Sequence, residues 1–440
     1  MKLNILLLVL LILFFQSCKE DDPTPDISTK TYKHDIATHW FDMMYAITKK
    51  AVGFTPPVAA RAFGYAGVAL YESVVPGMGD NYSLTGQLNQ FAGLPRPDSR
   101  LQYDWQLSAN AALAEITRSM YANMGDSLLS IVNQLEIRLK DSLSRDLDGN
   151  YVQRSVDFGK SIAVFVFEWS KTDGGHECYK TNFPTDYVPP KGPGYWEPTG
   201  PQLIPLQPYC GENRSFVPNN TAASQPTFNI PFSEDQNSPF FAQALEVYNV
   251  TQNLTPEQET IAEYWSDDPG PPGTPPGHSI SISTQLIRLE NYNLANAAEL
   301  YAKIAISVCD AFISCWKTKY TYNLMRPYTY LRRYILPTWT PLLSTPPFPE
   351  YTSGHSVQTS AVAIVLSDEF GAFYSFTDRT HLNREATVGP PRTFTSFEAM
   401  ANEAAISRLY GGIHFREAID DGLIQGKIIG NNVLDLNWER

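Results

Sequence analysis

The chain has 440 residues, of which 43% are hydrophobic and 12% aromatic, so it can bury a sizeable core in one large domain or two ordinary ones. Its formal net charge of −13 argues against non-specific nucleic-acid binding, because such binding depends on neutralising phosphates with lysine and arginine. An acidic chain also gives no long-range steering of anions, so any anion site must be a local cluster of positive groups.

The N-terminus predicts a signal peptide. One lysine precedes an apolar run from Ile5 to Phe15, which is shorter than the ~20 residues of a membrane-spanning helix. Residues 1–18 resemble a bacterial lipoprotein signal that ends at a lipidated Cys18, and the acidic residues that follow resemble the surface-export signal of Bacteroidetes lipoproteins. The alternative is a plain secretory signal with an incidental Cys18. We expect an outer-membrane lipoprotein, facing the periplasm or the cell surface, that contacts the membrane only through its lipid anchor.

The rest of the chain divides by composition into three parts after a polar, proline-containing tether over 19–32. Residues 33–170 carry apolar side chains at helical spacing. Residues 171–240 are crowded with proline, glycine and aromatics, which predicts a long wrapping loop without helix or sheet. Residues 241–440 return to helical patterns, including one long helix over 281–319, and show no convincing strand. We therefore predict an all-α protein, a helical bundle with a long Pro/Gly-rich insertion.

Local signals add detail to this division. Thr255-Pro256-Glu257-Gln258 is a capping box with proline at the first helical position, so a helix should begin there. Other helices are expected to begin near Ser353 and near His414. Cys178 and Cys210 flank a loop-rich region and could form a disulfide.

Three short pieces of the C-terminal half carry groups suited to binding an oxyanion. They are Lys319-x6-Arg326-Pro327 within "KYTYNLMRP", Ser353-Gly354-His355, and Ser407-Arg408-x5-His414 within "SRLYGGIHF". The planar fork of arginine suits tetrahedral oxyanions, and a helix that begins at Ser-Gly presents free amides and the positive end of its dipole. One histidine can attack or ligate the central atom while the other moves protons near neutral pH. Singly, each piece is more often an ordinary helix end or cap; together they favour one site.

In this order the pieces resemble the signature of the superfamily of type 2 phosphatidic acid phosphatases and vanadium-dependent haloperoxidases, with the detailed match over about 310–430. The helical N-terminal half and the "GYWEPT" loop are similar to the soluble haloperoxidase-like branch. The resemblance implies a bundle of the haloperoxidase type. It implies vanadate as cofactor if the chain is a haloperoxidase and no cofactor if it is a phosphatase, and it allows a homodimer.

The resemblance also assigns a role to each matching residue. His414 would be the vanadate ligand of a haloperoxidase or the nucleophile of a phosphatase, and His355 would be the acid/base. The oxyanion would be bound by Lys319, Arg326, Ser353, the Gly354 amide and Arg408.

Two further positions, Asp268 and Phe348, are expected to support the site, whereas His278 is favoured as a structural residue that could instead line the pocket. Asp268 resembles a family acid that braces the second arginine. Phe348 stands where haloperoxidases carry a pocket aromatic or a second histidine. His278 follows a loop that resembles the family's pocket rim.

The chain departs from the family pattern four residues after the last histidine, where Ala418 replaces an aspartate that orients the imidazole. Glu417 and Asp421 lie three and seven residues after His414, on the same face if that segment is helical. Either could substitute for the missing acid.

Three functions are compatible with these residues. The first is a haloperoxidase-like enzyme that oxidises halide with peroxide, which the chain length, the helical N-terminal half and Phe348 favour. The second is an acid-phosphatase-like hydrolase that cleaves phosphate monoesters through a phospho-His414, and Ala418 weakens this interpretation. The third is a surface lipoprotein that binds an anion or a glycan without turnover, against which two positioned imidazoles argue. All three take a small molecule and none takes nucleic acid.

Overall fold

The computed structural model describes residues 28–268, 270, 273–382 and 390–439. The signal peptide, Cys18 and most of the tether lie outside these residues, so their assignment stays a prediction. Among the helices in the described ranges, none is long and apolar enough to cross a membrane.

Helices dominate the described chain, which confirms the predicted all-α class. The first half contains α1 (Asp35–Thr48), α2 (Pro56–Val74), α3 (Trp105–Met120), α4 (Gly125–Ser144) and α5 (Gly149–Ser170). The second half contains α6 (Asn220–Ala223), α7 (Pro239–Gln252), α8 (Pro256–Tyr264), α9 (Pro275–Leu289), α10 (Leu294–Tyr322), α11 (Pro327–Tyr334), α12 (Gly354–Phe370), the strands β1 (Phe376–Asp378) and β2 (Arg392–Phe394), α13 (Phe397–Tyr410) and α14 (Arg416–Leu434). The predicted capping box is confirmed at the start of α8, where the Thr255 and Gln258 side chains each accept a hydrogen bond from the other's amide.

The centre of the fold is α10, which is buried on all sides along most of its length. It packs against α2, α9, α12 and α14. The close approach of α2 depends on glycine, because a Cβ added at Gly67 would lie 2.9 Å from Ala305 Cβ. Glycine also lets α14 approach α12, since a Cβ added at Gly426 would lie 2.2 Å from the Val357 carbonyl oxygen. These contacts set α10, α12 and α14 side by side.

Between α5 and α7 the chain crosses the bundle with little regular structure. It contains the 3-10 turns Cys178–Lys180 and Cys210–Glu212 and the short α6. Buried Asp310 of α10 anchors this segment, because its carboxylate accepts hydrogen bonds from the Phe216 and Val217 amides at 2.7 and 3.0 Å. Such bonds give the backbone N–H groups of this segment a hydrogen-bond acceptor where no helix or sheet supplies one. The disulfide considered from the sequence is not formed, since Cys178 and Cys210 are free thiols.

The structure differs from the sequence prediction in two elements. The single helix predicted over 281–319 is two helices, α9 and α10. The chain breaks between them because Asn291 takes a left-handed φ of 49° and Asn293 caps α10 by accepting a hydrogen bond from the Asn296 amide. The second difference is the antiparallel pair β1 and β2, whose strands of 3 residues are too short to give a readable alternation.

Candidate functional site

The three sequence pieces meet at one end of α10, α12 and α14, beside a cavity of about 430 Å³. Gly354, His355, Arg408 and His414 line this cavity. Each of them lies at or next to a helix end, and Arg326 is the N-cap residue of α11. Helix ends therefore direct side chains and free amides from distant parts of the chain towards one small volume.

His414 is held by Glu350, an acid that was not predicted from the sequence. Glu350 Oε1 lies 2.8 Å from His414 Nδ1 and also accepts a hydrogen bond from the Phe415 amide at 2.8 Å. On the other side of the ring, Arg326 Nη1 donates to His414 Nε2 at 3.1 Å. We therefore assign the proton to Nδ1, which leaves a lone pair on Nε2. Burial, and then the charge of Arg326, hold the pKa of His414 well below its ordinary value, so the ring is neutral at neutral pH.

Glu350 itself is wholly buried among positive groups. Burial raises the pKa of Glu350 to about 7, while Arg326 and Lys319 act in the opposite direction. Its second oxygen, Oε2, has no hydrogen-bond partner among the described residues. The carboxylate form is the one that accepts both N–H groups of the His414 turn.

Arg326 is wholly buried and keeps one donor unused. Its Nε donates to the Phe348 carbonyl at 3.0 Å and its Nη1 to the Ile413 carbonyl at 2.7 Å, while the Phe348 ring lies 4.9 Å from the guanidinium. Nη2 is buried without a partner in the part of the chain that the structure describes. Burial lowers the pKa of Arg326 to about 10, so the group is still charged at neutral pH. Because an unsatisfied buried donor costs about 1–3 kcal/mol, Nη2 is suited to a ligand oxygen.

Lys319 contacts the backbone of the turn before α12. Its Nζ donates to the carbonyl oxygens of Pro349, Glu350 and Thr352. These bonds use all three donors of the ammonium in holding the turn before α12. Burial lowers the pKa of Lys319 to about 7. The structure thus shows Lys319 supporting this turn, and its direct contact with an oxyanion stays a prediction.

The start of α12 presents donors and an imidazole to the cavity. Ser353 is the N-cap, and its hydroxyl accepts a hydrogen bond from the Ser356 amide at 3.4 Å. The amides of Gly354 and His355 belong to the first turn and have no carbonyl partner within the helix. His355 Nε2 is buried without a partner among the described residues. Burial, and then Arg408, hold the pKa of His355 well below its ordinary value, so it too is neutral.

Arg408 is held by two hydrogen bonds and lies near two acidic residues. Its Nε donates to the Ser407 hydroxyl at 2.9 Å and its Nη2 to the Ala262 carbonyl at 3.0 Å. Burial lowers the pKa of Arg408 to about 10, against the opposing effects of Asp267 and then Asp268. Asp268, the predicted brace, is exposed, whereas Asp267 is 1% exposed. The buried acid near Arg408 is therefore Asp267, whose left-handed φ of 41° is the kind of backbone strain found at functional sites.

Asp267 belongs to a buried network of charges. His278 Nδ1 lies 2.7 Å from Asp267 Oδ2, and His278 Nε2 lies 2.6 Å from Asp378 Oδ2. The Tyr264 hydroxyl donates to the same Asp378 oxygen at 2.6 Å, and the Trp265 ring stacks on the imidazole. Burial alone would lower the pKa of His278, but the two carboxylates raise it to about 10. His278 is therefore an imidazolium held between two carboxylates.

His381 completes this network. Asp267, His278 and His381 bring three potential metal-binding atoms within 4.8 Å of one another. Because carboxylates already occupy both nitrogens of His278, we interpret the group as an ion-pair network. His381 Nε2 lies 3.1 Å from Asp267 Oδ1 but is not aligned for a hydrogen bond. Burial alone would raise the pKa of Asp267, but His278 and His381 lower it, so Asp267 stays charged near Arg408.

The two acids proposed to replace the aspartate missing at Ala418 have other partners. Glu417 accepts hydrogen bonds from two backbone amides of the loop before α7, both at 2.8 Å. Asp421 accepts one from a tyrosine hydroxyl at 2.7 Å. This corrects the sequence-based hypothesis, because the acid that contacts His414 is Glu350.

Glu350, Asp267 and Asp378 were not among the residues predicted from the sequence. Glu350 stands five residues before His355, and it is the only acidic residue between Lys319 and Asp368, which was a usable signal. Asp267 differs from its neighbour Asp268 by burial, which depends on the backbone. Asp378 lies 100 positions from His278 and carried no local signal.

Comparisons with known proteins show which proteins this chain resembles in sequence and fold. Residues 299–439 match the family model described as the VCPO second helical-bundle domain. A crystal structure of a bacterial vanadium-dependent iodoperoxidase matches with a TM-score of 0.82 and 33% identity, covering 93% of this chain and 97% of that chain. Two structures of a bacterial vanadium-dependent chloroperoxidase share the fold, and each match covers 86% of this chain. The holo structure matches with a TM-score of 0.63 and 17% identity over 92% of its chain. The apo structure matches with a TM-score of 0.64 and 16% identity over 94% of its chain. A comparison with curated proteins found no match.

Proposed function

The chain belongs to the superfamily that joins vanadium haloperoxidases with type 2 phosphatidic acid phosphatases, and we propose that it is a vanadate-dependent haloperoxidase that oxidises halide with peroxide. One observation carries the proposal: His414 is a buried, neutral imidazole whose Nδ1 faces Glu350 and whose Nε2 lone pair faces a guanidinium. The carboxylate orients the ring for ligation through Nε2, and an oxyanion bound there would replace the hydrogen bond that this nitrogen accepts from Arg326.

The residues present fit a tetrahedral oxyanion. Two buried polar atoms without partners in the described ranges, Arg326 Nη2 and His355 Nε2, are available to it. The positive end of α12 and the Arg408 guanidinium add charge from two other directions. The oxygens of vanadate and of phosphate accept hydrogen bonds from the same kinds of donor.

His414 Nε2 would ligate vanadate, and Arg326, Arg408, the Ser353 hydroxyl and the Gly354 amide would hold its oxygens. Lys319 would contribute charge through the turn that it supports. When bound, vanadate would supply the Lewis acidity that activates peroxide toward halide.

His355 would manage the protons of the reaction. Oxidation of a halide consumes one proton, since halide, hydrogen peroxide and a proton give hypohalous acid and water. Because burial keeps the imidazole neutral, His355 Nε2 can accept a proton from the incoming peroxide and return it to the leaving oxygen.

A phosphatase is the second candidate, and the Glu350 contact favours it as well. A carboxylate on Nδ1 strengthens His414 as a nucleophile, so Ala418 no longer weakens this function. The same pocket would hold a phosphate monoester without a metal. Binding of an anion or glycan without turnover is the third candidate, and two positioned neutral imidazoles argue against it.

We further propose that the enzyme is a lipoprotein, anchored through Cys18 to the outer membrane and facing the periplasm or the cell surface. Cys18 lies outside the described residues, so this proposal rests on the sequence alone. Metabolic labelling with a fatty acid tests it, with Cys18→Ser as the variant that should lose the label.

The test of function compares two reactions of the purified chain from residue 19 onward. Iodide oxidation by peroxide is measured with and without added vanadate, beside hydrolysis of an aryl phosphate. We expect iodide oxidation that requires vanadate. Phosphate release that vanadate inhibits, without iodide oxidation, would establish the second candidate instead.

A further inference from the structure

A buried hydrogen bond between two side chains joins the turn before α12 to α14. The Thr352 hydroxyl donates to Gln425 Oε1 at 2.6 Å, and the two residues are 0% and 1% exposed. Thr352 directly precedes Ser353, the N-cap of α12, and the first helical residues Gly354 and His355 line the cavity. Neither Thr352 nor Gln425 lines the cavity, so their bond acts on the turn from outside it.

Gln425 is itself held by α10, the helix at the centre of the fold. Its Nε2 donates to Ser314 Oγ at 2.8 Å and to Thr318 Oγ1 at 3.0 Å. Together with the bond from Thr352, these contacts give a partner to both amide hydrogens and to the amide oxygen. Gln425 therefore connects the turn to a rigid part of the core.

The same face of α14 contacts the start of α12 at two further points. The Ser353 amide donates to the Ala418 carbonyl at 2.9 Å. A Cβ added at Gly422 would lie 2.7 Å from Ser356 Cβ, so only glycine allows this approach. Ala418, Gly422 and Gln425 follow one another at positions i, i+4 and i+7, which is one face of a helix. The register of α14 and the start of α12 are thus linked.

The position of this helix start matters for anion binding. Because Gly354 and His355 belong to the first turn of α12, a displaced start would move the Gly354 amide and the His355 imidazole together. Groups that bind a small ligand must be held within about 0.5 Å of their productive positions, and hydrogen bonds from outside the site are what hold them. Thr352 contributes such a bond from its side chain, beside the bonds of Lys319 to the backbone carbonyls.

We propose that Thr352 and Gln425 are positioning residues of the oxyanion site. Their hydrogen bond fixes the start of α12, so that the Gly354 amide and the His355 imidazole meet the oxygens of the bound anion. The inference rests on the proposed function for the identity of that anion, which is vanadate. Neither residue touches the anion, and the loss of their bond weakens anion binding through the displaced turn.

The experiment measures vanadate affinity by equilibrium dialysis, which needs no turnover. Thr352→Val removes the hydroxyl and nearly keeps the shape of the side chain, and Gln425→Met removes the amide. We expect each variant to bind vanadate about 10- to 100-fold more weakly than wild type, as expected for loss of an outer hydrogen-bond partner. Because both changes break the same bond, the double variant should bind within about threefold of the weaker single variant.

A conservative variant and a matched control separate positioning from stability. Thr352→Ser keeps the hydroxyl, and its affinity should stay within about threefold of wild type. Thr48 in α1 is 2% exposed, its hydroxyl lies 2.8 Å from the Tyr121 hydroxyl, and neither residue lines the cavity. Thr48→Val should therefore lower the Tm, since it loses a buried hydrogen bond, and leave vanadate affinity within about threefold of wild type.

The outcomes distinguish this proposal from the proposed function. Thr352→Val with wild-type affinity, or a double variant whose loss equals the product of the two single losses, would overturn the positioning role. If Thr352→Val does not fold, Gln425→Met decides by the same limit. Wild type that binds vanadate but oxidises no iodide would refute the haloperoxidase function alone. If wild type binds no vanadate, that function is refuted and the variants are compared by orthophosphate binding; binding of neither anion would overturn both proposals.

Discussion

Glu350 Oε1 and His414 Nδ1 lie 2.8 Å apart, and their contact ties the turn before α12 to the turn before α14. The two residues are separated by 64 positions. Because Glu350 accepts a hydrogen bond from the protonated Nδ1, the opposite nitrogen of His414 carries the lone pair on the side of the oxyanion pocket. The positioning residue of the site thus comes from the helix-start motif rather than from the segment that follows the histidine.

Removal of the Glu350 carboxyl should weaken vanadate binding. In Glu350→Ala the ring of His414 loses its Nδ1 partner, and we expect the vanadate concentration for half-maximal iodide oxidation to rise about 10- to 100-fold. Glu350→Gln keeps an oxygen that can accept the Nδ1 hydrogen bond, so it should lose less vanadate affinity than Glu350→Ala. If wild type and Glu350→Ala need the same vanadate concentration for half-maximal iodide oxidation, the Glu350 contact does not position His414.

The double variant Glu417→Gln/Asp421→Asn distinguishes Glu350 from the acids suggested by the sequence. Because both residues bond to groups other than His414, the vanadate affinity should stay within about threefold, or about 0.7 kcal/mol. Isothermal titration with vanadate measures this. A loss as large as that of Glu350→Ala would reassign the support of His414.

Arg326→Lys should impair the oxyanion pocket although it keeps the charge. The donors of lysine radiate from one nitrogen and cannot span the Phe348 carbonyl, the Ile413 carbonyl and the position of Nη2 as the planar fork does. We therefore expect a loss of about 1.5–3 kcal/mol in oxyanion binding. Inhibition by orthophosphate reports this affinity without turnover. Arg333→Lys, on the exposed face of α11, is the matched control and should behave as wild type.

His278→Gln should reduce stability in a pH-dependent way. The folded pKa of His278, about 10, lies above its ordinary 6.5, so its contribution is complete below pH 6.5 and is lost as the pH rises through 10. The free energy of unfolding should fall by about 3–5 kcal/mol at pH 6 and by less at pH 10. Guanidinium denaturation at both pH values, with exposed His39→Gln as control, measures it; an equal loss at both values would contradict the imidazolium.

The sequence was sufficient to predict the all-α class and the residue types of the pocket. Helical periodicity and the order of three short motifs can both be recognised from the residues alone. The helix break at Asn293 was not predicted, since an asparagine within an apolar helical pattern marks a break only when its side chain caps the next helix. Lys319 was matched by motif, but its three carbonyl partners lie 30 to 33 positions away. Glu350 and Asp267 depend on which side chains the fold buries together, and spacing does not encode that.

The most direct test of the haloperoxidase site is the amount of vanadium that the purified chain retains in equilibrium dialysis against vanadate, compared between wild type and His414→Ala. We predict one vanadium per wild-type chain. In His414→Ala the affinity for vanadate should fall further than in Glu350→Ala. Loss of Glu350, which contacts the ligand residue and not the vanadate, is expected to cost about 10- to 100-fold. Wild-type protein that retains no vanadium, or a His414→Ala variant that retains as much as wild type, would contradict the assignment of His414 as the ligand.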